Sequence, residues 1–187
     1  MATDADVGVV YTVGHSTRSL GELVGLLQRA DVRELIDIRS VPRSRRHPHF
    51  DQEALARSLP ARGVEYAHEG ALGGFRRPRP DSPNRGWDQE AFRGYADHMA
   101  SEEFRAGLRR LEERARARRA CVMCAEAQWW RCHRRLLADA LLVSGWQVLH
   151  LGLGGAPVVH ELTPFAVLGE DHALTYLPPQ TELGLRA

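Results

Sequence analysis

Short apolar runs alternate with amphipathic stretches along most of this chain, and this alternation restricts the fold more than any other feature. Five of the runs have the length of strands: GVVYTV, VRELIDIRS, VEYAHE, ACVMCAE and WQVLHLG. Strands separated by helices pair in parallel, because a helical crossover returns the chain to the same end of the sheet. The sequence therefore predicts an α/β fold with an open, mainly parallel sheet of five or more strands, flanked by helices and Rossmann-like.

Apolar residues at helical spacing, together with polar residues suited to helix starts, predict five helices in the connections. Ser19, or Ser16 one turn earlier, is the expected cap of the first helix, Asp51 of the second and Ser101 of the fourth. The predicted helices cover residues 18–30, 51–59, 88–99, 101–118 and 132–144. We expect one domain over residues 1–187, in which 153–187 form a C-terminal extension without assigned elements.

The composition is that of an ordinary globular chain. Its 187 residues are 43% hydrophobic and 26% charged, and a net charge of +1 creates no global field that would attract nucleic acid or a membrane. All 25 basic residues are arginine, which suits a two-pronged grip on phosphate or carboxylate. Three cysteines, an odd number, argue against a disulfide framework. Because the sequence contains neither a signal-peptide pattern nor a bilayer-length apolar stretch, we expect a cytoplasmic protein without membrane contact.

Polar side chains follow three of the predicted strands, at the point where each strand ends. In an open α/β sheet, ligands bind beyond the carboxyl ends of the strands, so we expect these side chains to line one crevice. The last group precedes a helix, whose free N–H groups attract anions. Arginine near a helix N-terminus is unfavourable unless an anion or a carboxylate such as Glu126 or Asp37 compensates it. The predicted ligand-binding residues are Ser16, Asp37, Arg39, Ser44, Arg131, His133 and Arg134.

Two of these side chains are candidates for acid–base chemistry. Glu126 follows the fourth strand and faces arginines, so it is either an acid, base or nucleophile or one half of a structural ion pair. His15 is either a proton carrier near neutral pH or a structural histidine, hydrogen-bonded within the protein just before a helix. The glycine before it allows the backbone to approach a ligand closely. Asp37 and Arg39 lie on the same face of a strand and could pair with each other.

Cys124 and Cys132 are the second pair of candidate catalytic residues. Each is either a nucleophilic or redox thiol, with its pKa lowered by arginines and the helix end, or a small buried hydrophobe. Together with Cys121 and His133 they could supply three sulfurs and an imidazole to zinc. The spacing disfavours zinc, because adjacent Cys132 and His133 point apart and Cys121 faces the opposite side of its strand. We therefore expect no metal site and no cofactor.

Two arginine-rich loops flank the strand ends. They span residues 43–49 and 76–85, and Phe50, Phe75 and Trp87 border them. Arginine interleaved with aromatic residues can bind phosphates while the aromatic rings stack on bases, although a solvent-exposed loop without a ligand can have the same composition. Trp129 and Trp130 could cover the crevice, stack on a planar ligand, or pack beneath their own turn.

Taken together, the motifs resemble the family known as the domain of unknown function numbered 488. The matching segments run in the family's order from about residue 11 to residue 152: TVGHST, LIDIRSVPRS, ALGG, FRGYADHM, and CAE followed by CHR and an apolar helix. The resemblance implies a compact cytoplasmic α/β domain but no established activity. This sequence differs from the family pattern at Trp129 and Trp130, where a shorter polar or proline-containing turn is expected. The functional set it implies is His15, Ser16, Asp37, Arg39, Pro42, Ser44, Cys124, Glu126, Cys132, His133 and Arg134.

Three functions are compatible with these residues. The first is an enzyme acting on an anionic, phosphate-containing nucleotide or nucleic-acid ligand, with Glu126 and His15 as acid, base or nucleophile. The second is a non-catalytic nucleic-acid binding module, and the third is a thiol or metal protein that uses Cys124 and Cys132. The first is preferred, while the substrate, the reaction, the oligomeric state and even the presence of catalysis are not specified by the sequence.

Overall fold

The computed structural model describes residues 8–169 and 173–178. Within this part of the chain, eight strands and five α-helices form two sheets and their flanking layers. The strands are β1 (Val9–Gly14), β2 (Glu34–Asp37), β3 (Glu65–His68), β4 (Ala120–Cys124), β5 (Gln147–His150), β6 (Val158–Val159), β7 (Ala166–Leu168) and β8 (Leu174–Tyr176). The helices are α1 (Leu20–Arg29), α2 (Gln52–Ser58), α3 (Glu90–Met99), α4 (Glu102–Ala117) and α5 (Arg134–Val143).

The main sheet has six strands in the order β3-β2-β4-β1-β5-β6. Its first five strands are parallel, and β6 pairs antiparallel with β5 at one edge. The predicted α/β fold with an open, mainly parallel sheet is therefore confirmed. Strands β1 and β4 are central neighbours, with Gly14 opposite Cys124, so their carboxyl ends lie side by side. The polar residues that follow these two strands are thereby brought together.

Side chains alternate along the strands and divide the core into two layers. Val10, Ile36 and Val122 face the layer built by α3, α4 and α5, where Tyr95, Phe104 and Leu137 are buried. Their sequence neighbours Tyr11, Leu35 and Cys121 face the layer built by α1 and α2. This alternation separates the cysteines of β4, because Cys124 belongs to the first layer and Cys121 to the second.

Two of the predicted helix caps are present. Ser19 and Glu22 form a reciprocal capping box at the start of α1, so Ser19 rather than Ser16 is the cap. Ser101 accepts a hydrogen bond from the Phe104 N–H at the start of α4. Asp51 occupies the cap position of α2, but its carboxylate accepts the Ser44 N–H at 2.6 Å instead. It therefore stabilises the loop before the helix.

The C-terminal extension contains structure that the sequence pattern did not reveal. Strand β6 extends the main sheet, and β7 and β8 form a separate antiparallel hairpin.

Helix α5 begins at Arg134, two residues later than predicted, because residues 129–131 form a short 3₁₀ turn that ends at Cys132. Among residues 8–169 and 173–178, no helix has the length and apolar character needed to cross a membrane.

Candidate functional site

A pocket with a volume of about 450 Å³ opens at the carboxyl ends of β1, β2 and β4. This is the edge at which an open α/β sheet binds its ligands. Eight of the eleven predicted site residues line this pocket: His15, Arg39, Ser44, Cys124, Glu126, Arg131, Cys132 and His133. The other three, Ser16, Asp37 and Arg134, lie at the same sheet edge but do not line it.

His15 lies at the end of β1, with 3% of its surface exposed. Burial lowers the pKa of its imidazole to about 4, so the ring is neutral near pH 7. Its Nε2 lies 3.3 Å from an Arg39 guanidinium nitrogen and its Nδ1 lies 3.0 Å from the Ser16 carbonyl. Since arginine only donates, Nε2 accepts and Nδ1 carries the proton. The imidazole lone pair is therefore occupied by Arg39.

Gly14 allows a close backbone contact, but the partner differs from the predicted ligand. A Cβ atom at this position would lie 1.8 Å from the Glu126 carbonyl oxygen. The segment after β4 therefore crosses directly over the end of β1, where a side chain would block it. The adjacent backbone continues the pairing, since the His15 N–H donates to the Cys124 carbonyl and the Ser16 N–H to the Ala125 carbonyl.

Asp37 and Arg39 form a buried mutual ion pair behind the pocket wall. The Arg39 guanidinium donates to both Asp37 carboxylate oxygens, at 2.8 and 2.6 Å, and to the Phe50 carbonyl at 2.7 Å. Tyr66 donates its hydroxyl to the same carboxylate at 2.8 Å. Asp37 is 0% exposed, so it orients Arg39 and does not reach a ligand itself.

Cys124 and Cys132 meet at the base of the pocket with their sulfur atoms 3.3 Å apart. Cys124 is 2% exposed, and burial raises the pKa of its thiol well above the ordinary value. The Cys132 sulfur is in hydrogen-bond contact with the Cys124 sulfur and accepts a hydrogen bond from the Arg134 Nε at 3.4 Å. These interactions, the Cys124 bond first, lower the pKa of Cys132 to about 6. The lowered pKa favours the thiolate form of Cys132, with the Cys124 thiol beside it.

Arg134 is 1% exposed and points away from the pocket into the protein. Its guanidinium donates to the Glu126 and Ala127 carbonyls, to the Thr12 hydroxyl at 3.3 Å and to the Cys132 sulfur. A positive charge is unfavourable at the start of a helix, and here backbone carbonyls and the Cys132 sulfur compensate that of Arg134. The sequence had instead predicted compensation by a bound anion or by a carboxylate side chain. Arg134 positions the turn that carries Glu126 and the thiolate.

The mouth of the pocket carries charged groups that lack buried partners. The Glu126 side chain is exposed and accepts the Gln128 N–H at 3.3 Å. Arg131 is held by the Gln128 side chain at 3.4 Å. Within the described residues, neither Arg43 nor Arg131 forms an ion pair with a carboxylate. Two guanidinium groups at the mouth therefore remain available to an anionic ligand.

The segment that precedes the second arginine-rich loop forms one wall of the pocket. Gly74 lies against the His133 ring, where a Cβ atom would be 2.4 Å from Nδ1. Phe75, which follows it, is 85% exposed at the pocket rim, next to Val41, which is 58% exposed. Asp97 of α3 fixes the loop further on, by accepting the Ser82 hydroxyl at 2.6 Å and the Asn84 amide at 2.8 Å. The pocket lining therefore includes one aromatic and one aliphatic side chain that are exposed to solvent.

A second polar cluster, which we call the histidine cluster, is completely buried between β5, β6 and α5. It consists of Thr12, Asp139, His150, His160, Thr163 and Tyr176. The Thr12 hydroxyl lies 2.6 Å from His150, His150 lies 3.0 Å from His160, and His160 lies 2.9 Å from Asp139. The Thr163 N–H and the Tyr176 hydroxyl also donate to Asp139, each at 2.9 Å. The sequence reasoning missed this cluster, although a carboxylate within the apolar run LLADALLV was a signal of it.

The two tryptophans of the turn have different roles. Trp129 stacks on His150, with ring centroids 4.1 Å apart and planes inclined by 7°, so it packs beneath its own turn and covers the histidine cluster. Trp130 is 40% exposed. Of the three interpretations of this pair, packing beneath the turn therefore describes Trp129.

The four residues considered for zinc do not converge. Cys121 packs in the opposite layer, and the His133 ring lies against Tyr95, with centroids 5.2 Å apart. Among the residues that the structure describes, no group of three His, Cys, Asp or Glu side chains could hold a metal ion. The site is thus built from two thiols, one carboxylate, two histidines and several arginines.

Comparison with known proteins places this chain by family only. The family model described as domain of unknown function DUF488 matches residues 19–141, which is more than half of the chain and lies within the expected range. No curated protein and no solved structure matches the chain. The matched region includes β2, β4, most of α5 and the turn with both thiols, and because it spans more than half of the chain, the chain belongs to the DUF488 family.

Proposed function

We propose that this protein is an enzyme that acts on a small, phosphate-containing nucleotide bound in the pocket at the carboxyl ends of β1, β2 and β4. The observation that carries the proposal is the pair of guanidinium groups, Arg43 and Arg131, that have no carboxylate partner among the described residues. Arg39 also lines the pocket, but its guanidinium is paired with Asp37, so Arg43 and Arg131 are the two groups left for an anion. An anion between them would form charge-assisted hydrogen bonds, which arginine makes in a two-pronged geometry with phosphate.

The size and the rim of the pocket favour a nucleotide over a bare anion. A volume of about 450 Å³ is within the range of small-molecule sites. The exposed Phe75 ring at the rim offers a stacking surface for a base, and Val41 adds an apolar contact beside it. The apolar rim would hold the base while the arginines hold the phosphate.

Glu126 is the group that we assign to acid, base or nucleophilic chemistry. It is exposed and lines the same pocket as Arg43, Arg131 and Cys132. His15 is a weaker candidate for proton transfer, because its lone pair is occupied by Arg39 and its pKa is lowered to about 4. Its contribution is to hold the Arg39 guanidinium, whose nearest nitrogen lies 3.3 Å from Nε2.

The proposal is tested by titrating the protein calorimetrically with nucleoside 5′-monophosphates and with the matching nucleosides. We expect the monophosphates to bind and Arg43→Met and Arg131→Met each to weaken binding about tenfold to a hundredfold, since each removes a charge-assisted hydrogen bond. Arg57→Met is the matched control, because Arg57 lies on α2 with a 75% exposed side chain away from the pocket. Equal weakening by Arg57→Met, or no difference between nucleotide and nucleoside, would refute the phosphate site.

The catalytic part has its own readout. Incubation of each bound nucleotide, followed by chromatography of the products, should show turnover that Glu126→Gln abolishes while affinity is retained. Binding without turnover by the wild-type protein would contradict the enzyme proposal. Binding of short oligonucleotides without binding of mononucleotides would favour the alternative of a non-catalytic nucleic-acid binding module, whose affinity falls steeply with salt.

A further inference from the structure

We propose that Cys124 and Cys132 form a dithiol site that reduces hydroperoxides, with Cys132 as the attacking thiolate and Cys124 as the resolving thiol. This inference goes beyond the proposed nucleotide chemistry and does not depend on it, because it rests on the geometry of the two sulfur atoms. The two thiols at the base of the pocket would thus carry out a reaction separate from the nucleotide chemistry.

The first support is the distance between the two sulfurs. At 3.3 Å they are in hydrogen-bond contact, and a disulfide bond of about 2.05 Å requires an approach of little more than one ångström. Cys132 lies in the irregular segment between a 3₁₀ turn and α5, where the backbone is not constrained by sheet pairing. Cys124 ends β4 and is held by it. The approach therefore requires only a local shift of Cys132.

The second support is the different accessibility of the two thiols. Cys132 is partly exposed to the pocket, whereas Cys124 is 2% exposed behind it. A hydroperoxide is small enough to enter a pocket of about 450 Å³ and reach Cys132, whereas a folded protein disulfide is not. Access thus assigns the attacking role to Cys132 and the resolving role to Cys124.

The third support is the hydrogen bonding around the Cys132 sulfur. Arg134 is fixed by two backbone carbonyls and by Thr12, and its Nε donates to that sulfur at 3.4 Å. A fixed cation beside a partly exposed cysteine stabilises its thiolate and leaves it reactive. The Cys124 sulfur already lies in hydrogen-bond contact with the same sulfur, so the resolving thiol is in place before the reaction begins.

The reaction balances in two steps. The Cys132 thiolate attacks one peroxide oxygen, forming an S–O bond while the O–O bond breaks, and the departing oxygen takes a proton from solvent and leaves as an alcohol or as water. Sulfur is oxidised by two electrons and the peroxide is reduced by two. The Cys124 sulfur then attacks Cys132, forming the S–S bond while the S–O bond breaks, and the hydroxide leaves as water with the Cys124 proton.

The experiment is to treat the reduced, ligand-free protein with equimolar hydrogen peroxide and to count free thiols after denaturation. The wild-type protein has three cysteines, and we expect its thiol count to fall to one. Cys121→Ser is the matched control, because Cys121 is 0% exposed in the opposite layer, and its count should fall from two to none. In Cys132→Ser the count should remain at two, since the attacking group is absent.

Cys124→Ala separates the two steps. Its count should fall from two to one, with a sulfenic acid on Cys132 that dimedone traps. If this variant does not fold, the wild-type protein still decides the question, because trypsin cuts after Arg131 and the disulfide should join peptides 120–131 and 132–134. Unchanged thiols in the wild-type protein, or equal losses in Cys132→Ser, would overturn the proposal. Both outcomes are independent of nucleotide binding, so failure here leaves the proposed function standing.

Discussion

The pocket and the histidine cluster both contain carboxylate and imidazole side chains, yet one is open and the other is closed. The Arg134 guanidinium links them, because it donates to Thr12 of the cluster and to Cys132 of the pocket. In the histidine cluster the donors and acceptors form an uninterrupted directional chain: Arg134 to Thr12, then to His150, His160 and finally Asp139. In the pocket, Glu126, Arg43 and Arg131 face solvent.

The difference shows that residue type does not separate structural from functional polar groups. A buried polar group stabilises the fold only when its hydrogen bonds are satisfied, and its removal leaves the partners unsatisfied at a substantial cost. A solvent-facing group contributes little to stability and is available to a ligand. The histidine cluster should therefore act on folding, and the pocket on binding and chemistry.

The largest effect should come from Asp139→Ala. Asp139 is 0% exposed and accepts hydrogen bonds from His160, Thr163 and Tyr176, so its loss leaves three buried donors without an acceptor. We expect the free energy of unfolding to fall by about 3–5 kcal/mol, measured by urea denaturation. Asp81→Ala is the control, because the Asp81 side chain is 82% exposed, and it should change stability little. Similar losses in both variants would remove the distinction between the two regions.

An intermediate effect should follow from pH. Burial lowers the pKa of His15 and His133 to about 4 and that of His150 to about 2, from 6.5. Below pH 6.5 the unfolded chain binds protons that the folded chain does not, so stability should fall as the pH drops from 6.5 toward 4.

Cys132 in the pocket adds a second pH range over which the free energy of unfolding should change, and the histidine cluster contributes nothing to it. The pKa of Cys132 is lowered from 9.0 to about 6, so its contribution is complete above pH 9 and is lost as the pH falls through 6. Urea denaturation across this range should show that Cys132→Ser no longer loses stability between pH 9 and pH 6 but still loses it between pH 6.5 and pH 4. A variant that loses both, or neither, would contradict the assignment of the thiolate.

The smallest effect should come from Glu126→Gln. The side chain is exposed and its only hydrogen bond among the described residues accepts the Gln128 N–H, which the glutamine oxygen also accepts. We expect the free energy of unfolding to change by less than about 0.5 kcal/mol, as thermal or urea unfolding would show. A loss comparable to that of Asp139→Ala would mean that Glu126 is part of the fold and not of the pocket.

Much of the fold was predictable because strand and helix periods are local properties of the sequence. The five parallel strands, the five helices and the Ser19 and Ser101 caps were predicted correctly apart from shifts at their ends. Strand β6 and the β7–β8 hairpin were not, because strands of two or three residues are too short to show a period. The direction of the Arg134 side chain was not predicted either, since its acceptors are backbone carbonyls that carry no sequence signature.

The sequence by itself determined the α/β class, the family and the strand ends at which the site lies, because hydrophobic period and motif spacing are read along the chain. Only the tertiary structure decided which polar groups face the pocket and which are buried. Asp37 and Asp139 are hidden because neighbouring elements satisfy them, while Glu126 remains exposed. The contact between Cys124 and Cys132 likewise depends on how a turn folds over the end of β1, and the packing of elements far apart in sequence sets that geometry.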